Sequence, residues 1–343
     1  MSLSATMRAA ALMGAFNIEI IDMPVPVIRN ATDAIVRITA AAICGSDLHY
    51  YHQDLGSPEN PMPISHEAIG YIEAVGDAVQ ILQVGEYVVV PDNLDDGHFD
   101  YGPELPHSFG GPENGGLQAE YARVPFADNS LIIVSVNAST NASTIIDYLF
   151  VSDIFATGWT SLAPDLLAFW LHTPPLLRGA SKVYSIDHVQ ARLDLAESIG
   201  AITINFNETD PVERLLALEP NGVTRSVDCV GYEAVNAQGE IELGIVIRNM
   251  MNVTSDYGGI GVVGVYRGDE TTTMSMTQFW RKALTMGSGI VLPLQHATEL
   301  VQLIASARAK PSFIVSATIG IEVPKYFRRF DQHLETKVIV EFP

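Results

Sequence analysis

From about residue 176 onward, short β-branched runs alternate with helical stretches, and few architectures tolerate that order. KVYSID reads as a strand, ARLDLAESIG as a helix ending on Gly200, and AITINF as a strand. VERLLALEP is helical, TRSVDCVG is a strand ending in a turn, EAVNAQGEIELGIVIRNMM is helical in part, and GGIGVVGVY is a strand. Parallel neighbours need a long connection, so strands separated by helices predict a parallel sheet with helical crossovers.

Residues 7 to 150 obey a different rule. AIVRITAAAIC, IGYIEAV and EYVVVPDN are β-branched runs set off by Gly, Pro, Asn and Asp, so this part reads mainly as β. Residues 92 to 116 form a long polar loop. After about residue 291, LPLQHATELVQLIASA reads as a helix, and FIVSATIGI and TKVIVEF return to strand. The expected domains are therefore 1–156, 157–290 and 291–343, the last returning to complete the first. A chain of 343 residues is long enough for two cores.

The formal net charge is -21, and such a surface repels phosphate backbones, which excludes nucleic acid as an expected partner. No apolar run is long enough to span a bilayer. The two cysteines, Cys44 and Cys229, build no disulfide framework, so a reducing cytoplasmic setting is the expectation.

Four features of the first half stand out. They are Cys44-Gly45-Ser46-Asp47-Leu48-His49 after an apolar strand, Ser65-His66-Glu67 followed by VGDAV, Asp153 within SDIFATGW, and the run VGEYVVVP. Taken singly they have ordinary readings. Cys44 could be a small core residue, His66 a satisfied polar residue and Asp153 a helix cap. Taken together with RGASKVYSIDHV, they resemble the zinc-containing medium-chain alcohol dehydrogenases, in particular the glutathione-independent formaldehyde dehydrogenase-like fungal branch. The resemblance runs from MRAAALM to TKVIVEF.

That resemblance implies an α/β fold, with a GroES-like β-rich catalytic domain and a Rossmann-type parallel-sheet domain. It implies a catalytic zinc on Cys44, His66 and Asp153, which leaves a tetrahedral ion one open position. Glu67 would tune the metal, and Ser46 and His49 would relay the alcohol proton to solvent. At the cofactor end, Asp187 would hold the adenosine ribose of NAD, or alternatively cap the next helix. Arg192 is expected on that helix's solvent face near the same site, and Val230, Gly264 and Val265 at strand ends on the nicotinamide side. The implied reaction is hydride transfer between a small alcohol or aldehyde and NAD. Tyr50, Tyr51, Phe99 and Trp159 are expected around the substrate pocket.

The chain departs from the family pattern in three places. The family's four structural-zinc cysteines are missing, because residues 92 to 116 contain none. This loop often contributes to subunit contacts in the family, which leaves a homo-oligomer open. Ser65 stands where the family has Gly, a mild change unless the position demands a positive φ. Third, only residues 160 to 176 separate Trp159 from Leu177, with no glycine and with Pro164, Pro174 and Pro175. A phosphate-cradling glycine loop belongs about 20 residues before the acid Asp187. The first strand and its loop are thus expected to be missing, truncating the parallel sheet. The segment AFWLHTPP is what codons for a family-like GLLAAYSA yield when read one nucleotide late, and the gene sequence tests that origin. Loss of the loop also opens other readings: a zinc lyase, isomerase or hydrolase without nicotinamide, or a non-catalytic member.

Overall fold

The computed structural model describes residues 6–97, 108–111, 114–137, 139–160, 179–266 and 273–343. The chain divides into two compact units, one of Met1–Asp153 with Leu292–Pro343, the other Ile154–Val291.

The first unit is built on β-sheets. A three-stranded sheet has the order β2 (Ile18–Pro24), β1 (Thr6–Leu12), β4 (Met62–Pro63). A seven-stranded sheet runs β14 (Ala317–Ile319), β15 (Val338–Glu341), β3 (Ala34–Ile43), β5 (Ala68–Val75), β6 (Tyr87–Val90), β8 (Ile132–Ile133), with β7 (Tyr121–Val124) also on β3. The strand β3 reads AIVRITAAAI and is buried along almost its whole length, which is why it sits inside the sheet rather than at an edge. One core packs Val36, Ile38, Ile72, Val88 and Leu117 together. Another joins Leu12, Ile43 and Ile64 to Phe327, Phe330 and Val338 of the return segment. The strand β15 pairs antiparallel with β3, setting Val338 opposite Ile43. The C-terminal segment therefore shares a sheet with the strand that leads into Cys44.

FIVSATIGI is only partly extended. Pro311–Ile314 forms a 3-10 turn and the strand starts at Ala317. Proline at the first position presets φ for a turn and outweighs the β-branched residues after it.

The second unit carries the alternating strands. β9 (Tyr184–Asp187) pairs in parallel with β10 (Ile202–Asn205). β11 (Val223–Asp228), β12 (Thr254–Val262) and β13 (Thr285–Ser288) make a separate parallel sheet. Among the described residues no strand joins the two sheets, so β9 and β11 each keep one edge without a strand partner. From the sequence, a central strand is expected to be lost before β9. Residues 161–178, on which that expectation rests, lie outside the described residues. The cores follow the sheets: Tyr184, Ile204 and Leu215 pack with Val253, while Ile247, Met251, Ile260 and Leu284 form a second cluster.

Candidate metal and cofactor sites

Cys44 ends the buried run of β3 and caps α1 (Gly45–Tyr51). Its φ of -105° and ψ of 156° are extended, so the chain turns from strand to helix at this residue. Asp47, at the third position of α1, is 2 % exposed. Its Oδ2 accepts from the Cys44 backbone N–H at 2.9 Å, as a capping-box acid does. Its Oδ1 lies 3.1 Å from His66 Nδ1. One carboxylate thus fixes the strand-to-helix turn and the imidazole together. The residue stood in the quoted motif without a role; its place three residues after a helix cap was the signal.

His66 and Glu67 precede β5. Asp153 sits between the 3-10 turn Phe150–Ser152 and the short helix Ile154–Thr160, with φ -152° and ψ -79°. The sulfur of Cys44, a ring nitrogen of His66 and a carboxylate oxygen of Asp153 all lie within 4.8 Å of one another. His66 Nε2 is 3.2 Å from Asp153 Oδ2, and Cys44 Sγ is 3.4 Å from the same oxygen. The three residues are buried to within 8 % exposure. A thiolate, an imidazole and a carboxylate so placed are a donor set that suits Zn²⁺.

The surroundings are also charged. Glu67 is fully buried; its Oε2 accepts from Lys337 Nζ, and its Oε1 has no hydrogen-bond partner. Burial would push the Lys337 ammonium down, but the charges of Glu67, Cys44 and Asp153 outweigh it and hold its pKa above the usual lysine range. Burial raises the Cys44 thiol, with Lys337 opposing. Burial alone would lower His66, yet Asp47 and Asp153 hold its pKa well above the ordinary value. The pocket therefore gathers acidic groups that can give up protons to a cation, with an orphaned buried oxygen, Glu67 Oε1, next to the ligand-bearing stretch. A divalent cation matches both features.

Ser46 is half-buried on α1, and the Cys44 thiol lies 3.9 Å from its Oγ. His49 is half-buried on the same helix. Tyr51 does not line a pocket: it is 3 % exposed and packs against Phe16 and Phe327. Trp159 is likewise buried, against Phe155. Phe99, His98 and His107 lie outside the described residues.

Ser65 is less innocuous than its chemistry suggests, because its φ is 76°. A side chain there costs roughly 1–2 kcal/mol relative to glycine. Its Oγ donates to the Ala42 carbonyl at 2.8 Å, which offsets part of that cost. Ser65→Ala keeps the backbone penalty and loses the bond, so urea unfolding should show a loss of about 1 kcal/mol. Ser65→Gly should stay near wild type, and equal losses in both variants would contradict this account.

In the second unit, Asp187 closes β9 and is 6 % exposed. Its Oδ1 accepts from the backbone N–H groups of His188 and Val189, at 2.7 and 2.9 Å. Arg192 does not point simply to solvent: its Nη1 lies 3.7 Å from Asp187 Oδ2, with its side chain 18 % exposed. The guanidinium reaches back one turn toward the acid, the electrostatic alternative to a solvated face. Asp228 closes β11 and gathers the next turn: Oδ1 accepts from Val230 and Gly231 N–H, and Oδ2 from the Tyr266 hydroxyl. Val230 and Val265 are each 39 % exposed. Gly231 and Gly264 approach so closely that a Cβ on Gly264 would come 2.2 Å from Gly231 N. The strand ends of β11 and β12 are thus locked backbone to backbone, which only glycine permits.

The family model described as alcohol dehydrogenase GroES-like domain matches residues 30–134, and the one described as zinc-binding dehydrogenase matches residues 176–306. A glutathione-independent formaldehyde dehydrogenase of Bacillus subtilis is 29% identical over 90% of this chain and 86% of its own length. A zinc-type alcohol dehydrogenase-like protein of Schizosaccharomyces pombe is 27% identical, over 93% of this chain and 86% of its own. Among solved structures, an alcohol dehydrogenase from Thermus sp. ATN1 superposes with a TM-score of 0.83 at 27% identity, covering 98% of this chain and 99% of that one. No helix among the described residues is long and apolar enough to cross a membrane. With both family models matched in order, the two units built as β-rich and parallel-sheet halves, and a Cys/His/Asp group gathered in the first, the chain belongs to the zinc-containing medium-chain alcohol dehydrogenase family of oxidoreductases.

Proposed function

We propose that this chain binds zinc through Cys44, His66 and Asp153 and acts on a small alcohol or aldehyde, with NAD as the hydride partner. The observation that carries the reading is the convergence of three unlike donors, from three separate stretches of chain, within 4.8 Å. Zinc held by such donors lowers the pKa of a bound hydroxyl and polarises a bound carbonyl. The protein's own contribution is positional. Asp47 holds the Nδ1 side of His66, leaving Nε2 toward Asp153 and Cys44. Lys337 balances Glu67, and Ser46 and His49 on α1 supply hydroxyl and imidazole groups for moving the alcohol proton outward.

The dinucleotide half fits less well. Asp187 and the glycine-locked ends of β11 and β12 suit an NAD site, but no glycine lies between Gly158 and Gly179 to cradle a pyrophosphate. That observation favours a second reading, in which the metal serves as a Lewis acid without nicotinamide.

Zinc analysis and cofactor titration separate these outcomes. About one zinc per chain is expected in the wild type and nearly none in Cys44→Ala. Saturable quenching or enhancement of NADH fluorescence supports the dehydrogenase reading. Bound zinc with no NADH response supports the second reading, and a wild type that takes up no zinc sinks both.

A further inference from the structure

The turn beyond β11 and the segment leaving β12 hang on one residue. Asp228 is fully buried at the end of β11, which pairs in parallel with β12. Its Oδ1 accepts from the Val230 and Gly231 N–H groups at 2.8 and 3.0 Å, and its Oδ2 from the Tyr266 hydroxyl at 2.7 Å. Its backbone carbonyl accepts from Val263 and Gly264 N–H at 2.9 and 3.0 Å, and Tyr232 N–H donates to the Val265 carbonyl at 3.0 Å. The Tyr266 ring packs against the core of Ile247, Met251, Ile260 and Leu284. Burial and the Asp228 charge push the phenol's pKa up, so it remains a donor. The exposed side chains of Val230 and Val265 fall between these bonds along the chain, so Asp228 and Tyr266 together fix where the two stand relative to each other.

Ligands of open parallel sheets bind outside the carboxyl ends of the strands, which is where both valines stand. Resting on the proposed NAD chemistry, we infer that Tyr266 is a positioning residue: its hydroxyl, latched on Asp228, holds Val265 at the separation from Val230 that receives the nicotinamide ring. Val263 and Gly264 are tied by their own N–H groups, but beyond them the segment depends on the Tyr232 bond and on the phenol. Removing the hydroxyl also takes a donor from a buried carboxylate oxygen, which loosens the hold of that carboxylate on Val230 and Gly231. One latch thus acts on both valines.

The test uses the full chain with zinc added and two probes, NADH and ADP-ribose, the second being the first without its nicotinamide. Isothermal titration of Tyr266→Phe should show NADH weakened about tenfold, with ADP-ribose within about twofold of the wild type. Ile247→Val, which thins the core under the tyrosine without touching the latch, should leave both affinities at the wild-type level. Hydrogen exchange without any nucleotide should show the Val230 and Gly231 amides opening about tenfold more readily in Tyr266→Phe. Unchanged exchange there overturns the latch whatever the nucleotides do. Unchanged NADH affinity in Tyr266→Phe, equal losses of NADH and ADP-ribose, or the same NADH loss in Ile247→Val overturns the positioning role and leaves NAD standing as the hydride partner. A wild type that binds no NADH sinks the NAD reading and the inference together.

Discussion

Lys337→Met is expected to destabilise the first unit by about 3–5 kcal/mol, read from the denaturant midpoint at constant slope. Lys337 is 3 % exposed and Glu67 fully buried, and each is the other's ion-pair partner. Glu67 Oε1 already lacks a hydrogen bond, so removing the ammonium would leave both carboxylate oxygens buried without a donor. The cost is that of an uncompensated charge, which exceeds the net worth of the pair itself. Adding Glu67→Gln to Lys337→Met should therefore recover much of the loss, because no buried charge remains. A single-variant loss below about 1 kcal/mol, the range of an exposed ion pair, would show that water reaches the pair and that this description of the site is wrong.

Metal removal should have a comparable effect. With free zinc about a thousandfold above its dissociation constant, binding adds roughly 4 kcal/mol to the folded state. Chelation should then lower the melting temperature of the first unit by roughly 10 °C, and added zinc should restore it. The physical cause is charge: Cys44, Asp153, Glu67 and Asp92 bring acidic groups into one buried region where Lys337 is the lysine partner of Glu67. The second unit contains none of the three donors, so its transition should not move. Identical melting with and without metal would count against zinc at this site.

Much of this molecule was legible in its sequence, and unevenly. The β-rich and alternating halves follow from periodicity and turn residues, which are local properties. Cys44, His66 and Asp153 were legible as a group because their flanking motifs resemble one family, not because any spacing between them encodes a site. Ser65 shows the limit of composition: the side chain looks harmless, and only its backbone angle reveals a position suited to glycine. Arg192 shows another limit, since a helix position specifies a direction but not whether a long side chain folds back onto an acid. The Pro311 turn was a local signal that the β-branched residues after it obscured.

What the chain's order of residues determined by itself was the division into a β-rich and a parallel-sheet half, the donor types available to a metal, and the lack of a glycine cradle before Asp187. Those depend on side-chain identity and short-range pattern, and no folding is needed to read them. Only tertiary structure decided that Lys337, 270 residues from Glu67 in the chain, is its counter-ion. It alone decided that Asp47 serves both Cys44 and His66, and that the Asp92 backbone bonds to Ser152, next to Asp153. Such pairings are set by sheet register between distant strands, here β15 on β3 and β3 on β5. Burial then turns each pairing into a matter of several kcal/mol, because a charge out of water must find its partner inside the protein.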